Sequence, residues 1–81
     1  MQKTTSTRAY RKFLEWLRSE RIERGLSMRD VAVLIDEPHQ FVSKIETGER
    51  RLDVYEFMQY CEALKIDPDR GLEILSKRRF G

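Results

Sequence analysis

Four side chains set close together, His39, Gln40, Ser43 and Lys44, carry the hydrogen-bonding chemistry that nucleic-acid base edges accept. A glutamine amide can pair with adenine through a donor and an acceptor at once. A lysine ammonium reaches the O6 and N7 acceptors of guanine, and a serine hydroxyl adapts to several bases. His39 can meet a base or a phosphate. Arg29, Thr47, Arg50 and Arg51 suit phosphate oxygens, contacts that position a protein on a duplex without reading its sequence. The same residues also fit a plain solvated surface, because exposed polar groups and arginines are common on any helix. Their placement therefore has to decide between the two readings.

No enzyme is expected. The chain offers no carboxylate pair, nucleophile with a base, phosphate-cradling glycine loop or metal cluster at a usable spacing. Cys61 falls at helical spacing from Phe57 and Leu64, which marks a packed core thiol rather than a reactive one. One cysteine and one histidine cannot supply the four ligands of a structural zinc site, so neither a metal nor a cofactor is expected. No small-molecule ligand is evident.

These side chains need a scaffold, and 81 residues provide for one domain. Hydrophobic residues at 40% and charged residues at 37% describe a folded, well-solvated domain rather than a disordered segment. A net charge of +2 is too small to argue for a polyanionic partner by itself. No apolar run approaches the roughly 18 residues that cross a bilayer, and Met1 to Thr7 lacks the apolar stretch of a signal peptide, so a cytoplasmic protein without a membrane partner is expected.

Helical periodicity recurs along the chain, and the spacing predicts an all-α fold of five helices. The first runs from about Arg8 to Arg24, with Tyr10, Phe13, Leu14 and Leu17 on one face and Gly25 as its left-handed stop. Ser27 caps a short second helix from about Met28 to Ile35, whose Val31, Ala32 and Ile35 share a face. Pro38 opens the third, which runs to Thr47 and stops at Gly48. On a wheel of about 100° per residue, Pro38, Val42 and Ile45 face inward with Phe41 at their edge, and Gln40, Ser43 and Thr47 face outward. Asp53 and Glu56 form a capping-box start for the fourth helix, whose Val54, Phe57, Cys61 and Leu64 share a face. Asp67 and Pro68 begin the fifth, expected to carry Leu72 and Leu75 inward. The expected organisation is a basic arm over 1–7, the helical domain over 8–76 and a basic tail over 77–81.

Two short helices joined by a tight turn after a longer helix are what a helix-turn-helix reader needs to set one helix in the major groove. Arg21, the run Gly25, Leu26, Ser27, the pair Val31, Ala32, then Ile35, and above all Val42 through Arg50, with Glu62, Ala63, Leu64 and Ile66 later, carry a resemblance. From Leu17 to Ile66 the chain resembles the Cro and lambda-repressor-like helix-turn-helix family, also called the XRE family. The resemblance implies a lambda-repressor-like DNA-binding domain with its reader formed by helices two and three. It implies that His39, Gln40, Ser43 and Lys44 face bases, and that the start of helix two and the loop after helix three touch phosphate. It also implies a structural ion pair between Arg21 and Glu46. The sequence departs from the family pattern at Met28, where a glutamine is usual, at Asp36, where a turn glycine is usual, and at Glu37 and Pro38, which replace a small hydroxyl residue.

A sequence-specific regulator of repressor type is the expectation, acting as a homodimer on a palindromic operator in double-stranded DNA, since one recognition helix reads only a few base pairs. Leu72, Ile74, Leu75 and Phe80 are the expected dimer surface, with Met58 and Tyr60 as neighbours. Trp16, Val33 and Leu34 lie off their helices' main stripes and are expected to leave apolar surface exposed. Lys3, Arg8, Arg11 and Lys12 at one end, and Lys77, Arg78 and Arg79 at the other, fit either a DNA-reaching arm or a solvated terminus. The competing function is an antitoxin-like or phage accessory module that uses this fold to bind a protein through the Asp36–Glu37 turn and Val33 and Leu34.

Overall fold

Capping chemistry divides the chain. Thr7 accepts the Tyr10 amide and starts α1, Arg8–Glu23. Ser27 and Asp30 exchange bonds with each other's backbone amides in a capping box that opens α2, Met28–Leu34. Asp53 and Glu56 do the same for α4, Val54–Leu64, and α5 covers Pro68–Ser76. Between them lies α3, His39–Thr47. The computed structural model describes residues 7–76, and among these there are five α-helices and no strand. The expectations placed on Lys3, Lys77, Arg78, Arg79 and Phe80 lie outside the described residues. No described helix is long and apolar enough to cross a membrane.

The stops are left-handed residues, as the sequence suggests for Gly25 at φ 69° and Gly48 at φ 84°. Asp36 also turns through the left-handed region at φ 57°, so it replaces the turn glycine by adopting the same conformation. Lys65, at φ 57°, closes α4 in this way, with no glycine to announce it.

The core gathers Phe13, Leu14 and Leu17 from α1, Val31 and Ala32 from α2, Val42 and Ile45 from α3, and Phe57, Tyr60, Cys61 and Leu64 from α4. Helix α1 packs against both α5 and α3, α2 packs on α3 and α4, and α4 meets α5. Arg24 closes the far end of α1 by donating through Nε to the carbonyl of Leu64 and through Nη1 to Glu20. Burial pushes the Cys61 thiol up to about 11, which keeps it protonated and unreactive near neutral pH.

Several inward and outward assignments change. Pro38 is the exposed N-cap of α3 and not part of its buried side, because the extended backbone of a residue leading into a helix turns it off the helical wheel. Val54 is 80% exposed, because the first residue of α4 lies beyond the reach of its neighbours. Tyr60 is 1% exposed and belongs to the core, so it cannot border an association surface. Trp16 is partly buried against Phe13 and Phe57, with ring centroids 5.9 and 6.4 Å away.

Helix α5 faces the core differently from its expected leucine stripe. Leu72 and Leu75 are exposed, and the helix approaches through Gly71, with Ile74 partly buried beside it. A Cβ at Gly71 would stand 2.8 Å from Phe57 Cζ and Trp16 Cζ3 and 2.9 Å from Phe13 Cε1. Glycine is needed here for space, since three packed rings leave none for a methyl group.

Gly71→Ala therefore sets overpacking, typically about 1–3 kcal/mol, against a helix-propensity gain of about 1 kcal/mol. The expected result is net destabilisation of roughly 1 kcal/mol, read as a melting midpoint about 4–8 °C lower. An unchanged or raised midpoint would show that the α1 and α5 contact is looser than described.

Candidate nucleic-acid interface

Helix α3 is fixed from within by Val42 and Ile45, both fully buried. Side chains on a helix recur every 3.6 residues, so burying these two turns the opposite arc outward. Gln40, Lys44 and Thr47 are exposed on that arc, with His39 and Ser43 half-buried along one side. The five residues occupy about 140° of the wheel. Phe41 bounds them on one flank and Glu46 on the other.

The Glu46 flank is closed by Arg21. Its Nε donates to Glu46 Oε2 at 2.7 Å and its Nη2 to Oε1 at 3.0 Å, a two-pronged pair. The third prong, Nη1, donates to the Leu26 carbonyl at 2.8 Å, tying in the turn that leads to α2. The two side chains are 10% and 4% exposed. The hydrogen bond to Glu46 is the main cause that holds the Arg21 guanidinium above its usual value. Arg18, largely exposed, stands 4.0 Å from the same carboxylate. Nothing in the composition of Arg18 marks it for this place, but its position one helical turn before Arg21 puts it on the same side of α1.

The Phe41 flank is closed by Arg50. Its guanidinium carbon lies 4.6 Å from the centroid of the Phe41 ring, and its Nη1 and Nη2 each donate to Glu56 at 2.8 Å. The hydrogen bonds from Arg50 are the first cause holding the Glu56 carboxyl below its usual range. Backbone bonds run alongside, from the Gly48 amide to the Ile45 carbonyl and from the Arg50 amide to the Lys44 carbonyl. The Leu52 amide donates to the Tyr10 hydroxyl at 3.1 Å, which anchors the loop to α1.

The turn between α2 and α3 is short, spanning Ile35 to Pro38, and the Glu37 amide donates back to the Ala32 carbonyl at 2.9 Å. Arg29 is exposed in the first turn of α2, whereas Met28 packs partly buried against the core. A methionine at this position thus adds to packing where an amide would reach outward. The structure brings His39, Gln40, Ser43, Lys44 and Thr47 onto one face, and places Arg50 at its edge, paired within the chain.

A family model described as Helix-turn-helix matches residues 17–70. Among solved structures, an XRE-family like protein from Pseudomonas syringae pv. tomato str. DC3000 is similar, with a TM-score of 0.77 and 38% identity. The match covers 85% of this chain and 84% of that one. No curated protein matches the sequence.

Removing one member of a buried pair strands the other charge, at about 3–5 kcal/mol. Arg21→Met is expected at the lower end, because Arg18 remains near Glu46. The double variant Arg21→Met with Glu46→Leu should recover most of the loss, since two apolar side chains leave no charge buried. Chemical denaturation of the two variants checks this, and equal losses for the single and the double variant would refute it.

Proposed function

The chain belongs to the XRE-type helix-turn-helix family of DNA-binding regulators, and on that premise we propose that it reads duplex DNA sequence-specifically as a homodimer, with α3 in the major groove. The observation that carries this reading is the outward arc of α3, polar along its length and braced at both flanks. A rigid helix with short polar side chains and no apolar obstruction is what a groove admits. Gln40, Ser43 and Lys44 are the proposed base contacts, with His39 at the helix start. Arg29, Thr47 and Arg51 are the proposed phosphate contacts, which fix position and not sequence.

A two-fold pair is proposed because it reads two half-sites about one helical turn apart, a palindrome that a monomer cannot specify. The proposed pairing surface is an apolar groove of about 150 Å³ bordered by Val54, Met58, Leu72 and Leu75. All four border residues are exposed in the single chain. Ile74, part of the expected surface, is half spent on the core of its own chain and contributes only its remainder. Repression of transcription from a palindromic operator is the corresponding regulatory role.

A second reading has one observation in its favour: Val33 and Leu34 on α2 are 79% and 55% exposed. An antitoxin-like or phage accessory module would use them, with Asp36 and Glu37, to hold a protein. Salt separates the two, because phosphate contacts release counterions and log K falls with log salt by about 0.9 per contact.

Selection of bound duplexes from a random pool is expected to enrich a palindromic motif. Gln40→Ala should relax preference at one position per half-site by about 1–3 kcal/mol, and Lys44→Ala should weaken binding as well. Leu72→Glu should leave the fold intact and convert the dimer to monomer in sedimentation equilibrium. Enrichment of no motif, with a stoichiometric protein partner captured through Val33 and Leu34, would replace this reading with the second.

A further inference from the structure

An arginine in the loop after a recognition helix invites assignment as a phosphate ligand, and Arg50 carries that expectation from the sequence. Its surroundings argue otherwise. Both terminal nitrogens are spent on Glu56, and Nη1 also donates to the Arg51 carbonyl at 3.1 Å. The guanidinium carbon lies over the Phe41 ring. Glu56, Asp53 and Glu37 all add negative field at this one guanidinium. A phosphate approaching here would meet a cation already neutralised, among carboxylates that repel it.

The same bonds form a closed mechanical link. Phe41 belongs to α3 and lies beside Gln40 and one turn before Lys44. Glu56 belongs to the first turn of α4, where its Oε1 also accepts the Asp53 amide at 3.0 Å. The Arg50 amide is bound in turn to the Lys44 carbonyl at 3.2 Å. Rotation of α3 about its axis would slide Phe41 from under the guanidinium or pull the guanidinium from Glu56. Arg21 resists the same rotation from the opposite flank, through Glu46.

We infer that Arg50 is a positioning residue for DNA recognition, clamping the outer flank of α3 between Phe41 and Glu56, and not a phosphate ligand. The inference rests on the DNA-binding reading above and specifies how the reading helix is held. The chemistry requires arginine: a planar, forked cation stacks on a ring and grips a carboxylate with two bonds, whereas a lysine ammonium supplies charge without either geometry.

The test compares Arg50→Ala, Arg50→Lys and Glu56→Gln on the full chain, with the duplex enriched by selection and with a scrambled duplex, across a salt series. Glu56→Gln is the sharpest, since glutamine keeps the capping bond to the Asp53 amide and raises the net charge. All three variants are expected to bind the selected duplex about fivefold more weakly, the scale of a well-formed exposed pair. The salt slope should stay that of the unsubstituted chain, the scrambled duplex should bind no worse, and lysine should do no better than alanine. The inference is overturned if Arg50→Ala lowers the slope by about one phosphate, if Arg50→Lys restores affinity, or if Glu56→Gln binds more tightly. It is equally overturned if the variants only lower the melting midpoint while the folded protein keeps its preference between duplexes. Failure of the DNA-binding reading looks different, because the unsubstituted chain would then show no preference for any duplex.

Discussion

Everything about the reading face depends on a guanidinium and a carboxylate held together where water hardly reaches. Arg21 and Glu46 lose most of their hydration on folding, a cost their attraction offsets only when the geometry is good and the remaining donors are used. Here two prongs meet Glu46 and the third meets the Leu26 carbonyl. Such a pair adds little net stability relative to apolar residues of the same size. Its contribution is selectivity among arrangements: α1, the turn into α2 and α3 must adopt one mutual setting, because any other leaves a charge unpaired and dry. The recognition arc inherits its direction from that requirement.

The apolar core sets the same direction by different means. Val42 and Ile45 are fully buried, so the arc opposite them, with Gln40, Lys44 and Thr47, is the one left exposed. The core is small and has no disulfide among its supports, Cys61 being a free, buried thiol. It compensates by close approach, with α5 drawn against Phe13, Trp16 and Phe57 at Gly71. Drawing α5 in at its glycine leaves Leu72 and Leu75 outside, so the contact that completes the core also produces the apolar groove.

Element boundaries were legible because local chemistry sets them. Ser27 with Asp30, Asp53 with Glu56, Gly25, Gly48 and Asp67 before Pro68 each act within a few residues, and the sequence displays them directly. Inside and outside were less legible. A helical wheel ranks residues by direction but cannot say whether a neighbour stands there, which is why Val54, Leu72 and Leu75 read as core and lie in solvent. Tyr60 failed in the opposite sense: its hydroxyl suggests surface, yet it is buried without a hydrogen-bond partner among the described residues. Gly71 left no signal, since a glycine needed for clearance looks like any other. The left-handed turn at Lys65 left none either, because residues other than glycine, asparagine and aspartate seldom adopt that conformation and nothing in a lysine side chain announces it.

Arg50 shows where single-residue reasoning about charge stops. With 16 basic and 14 acidic residues the chain has little net charge, so a DNA reader of this composition depends on which cations are already committed. Arg21, Arg24 and Arg50 are bound to Glu46, Glu20 and Glu56, and each of these pairs joins or caps elements of the scaffold. The cations so engaged give the domain its shape and subtract themselves from its electrostatic attraction to a polyanion. Glu37, a carboxylate unwelcome near phosphates, adds its field at Arg50 and is partly offset there. On the reading proposed above, affinity for DNA rests on the cations outside these pairs, and specificity on the stiffness that the paired ones confer. In the proposed reader, the cations that hold the helix still are the ones whose positive field their carboxylate partners cancel, so stiffness and attraction to a polyanion draw on different arginines.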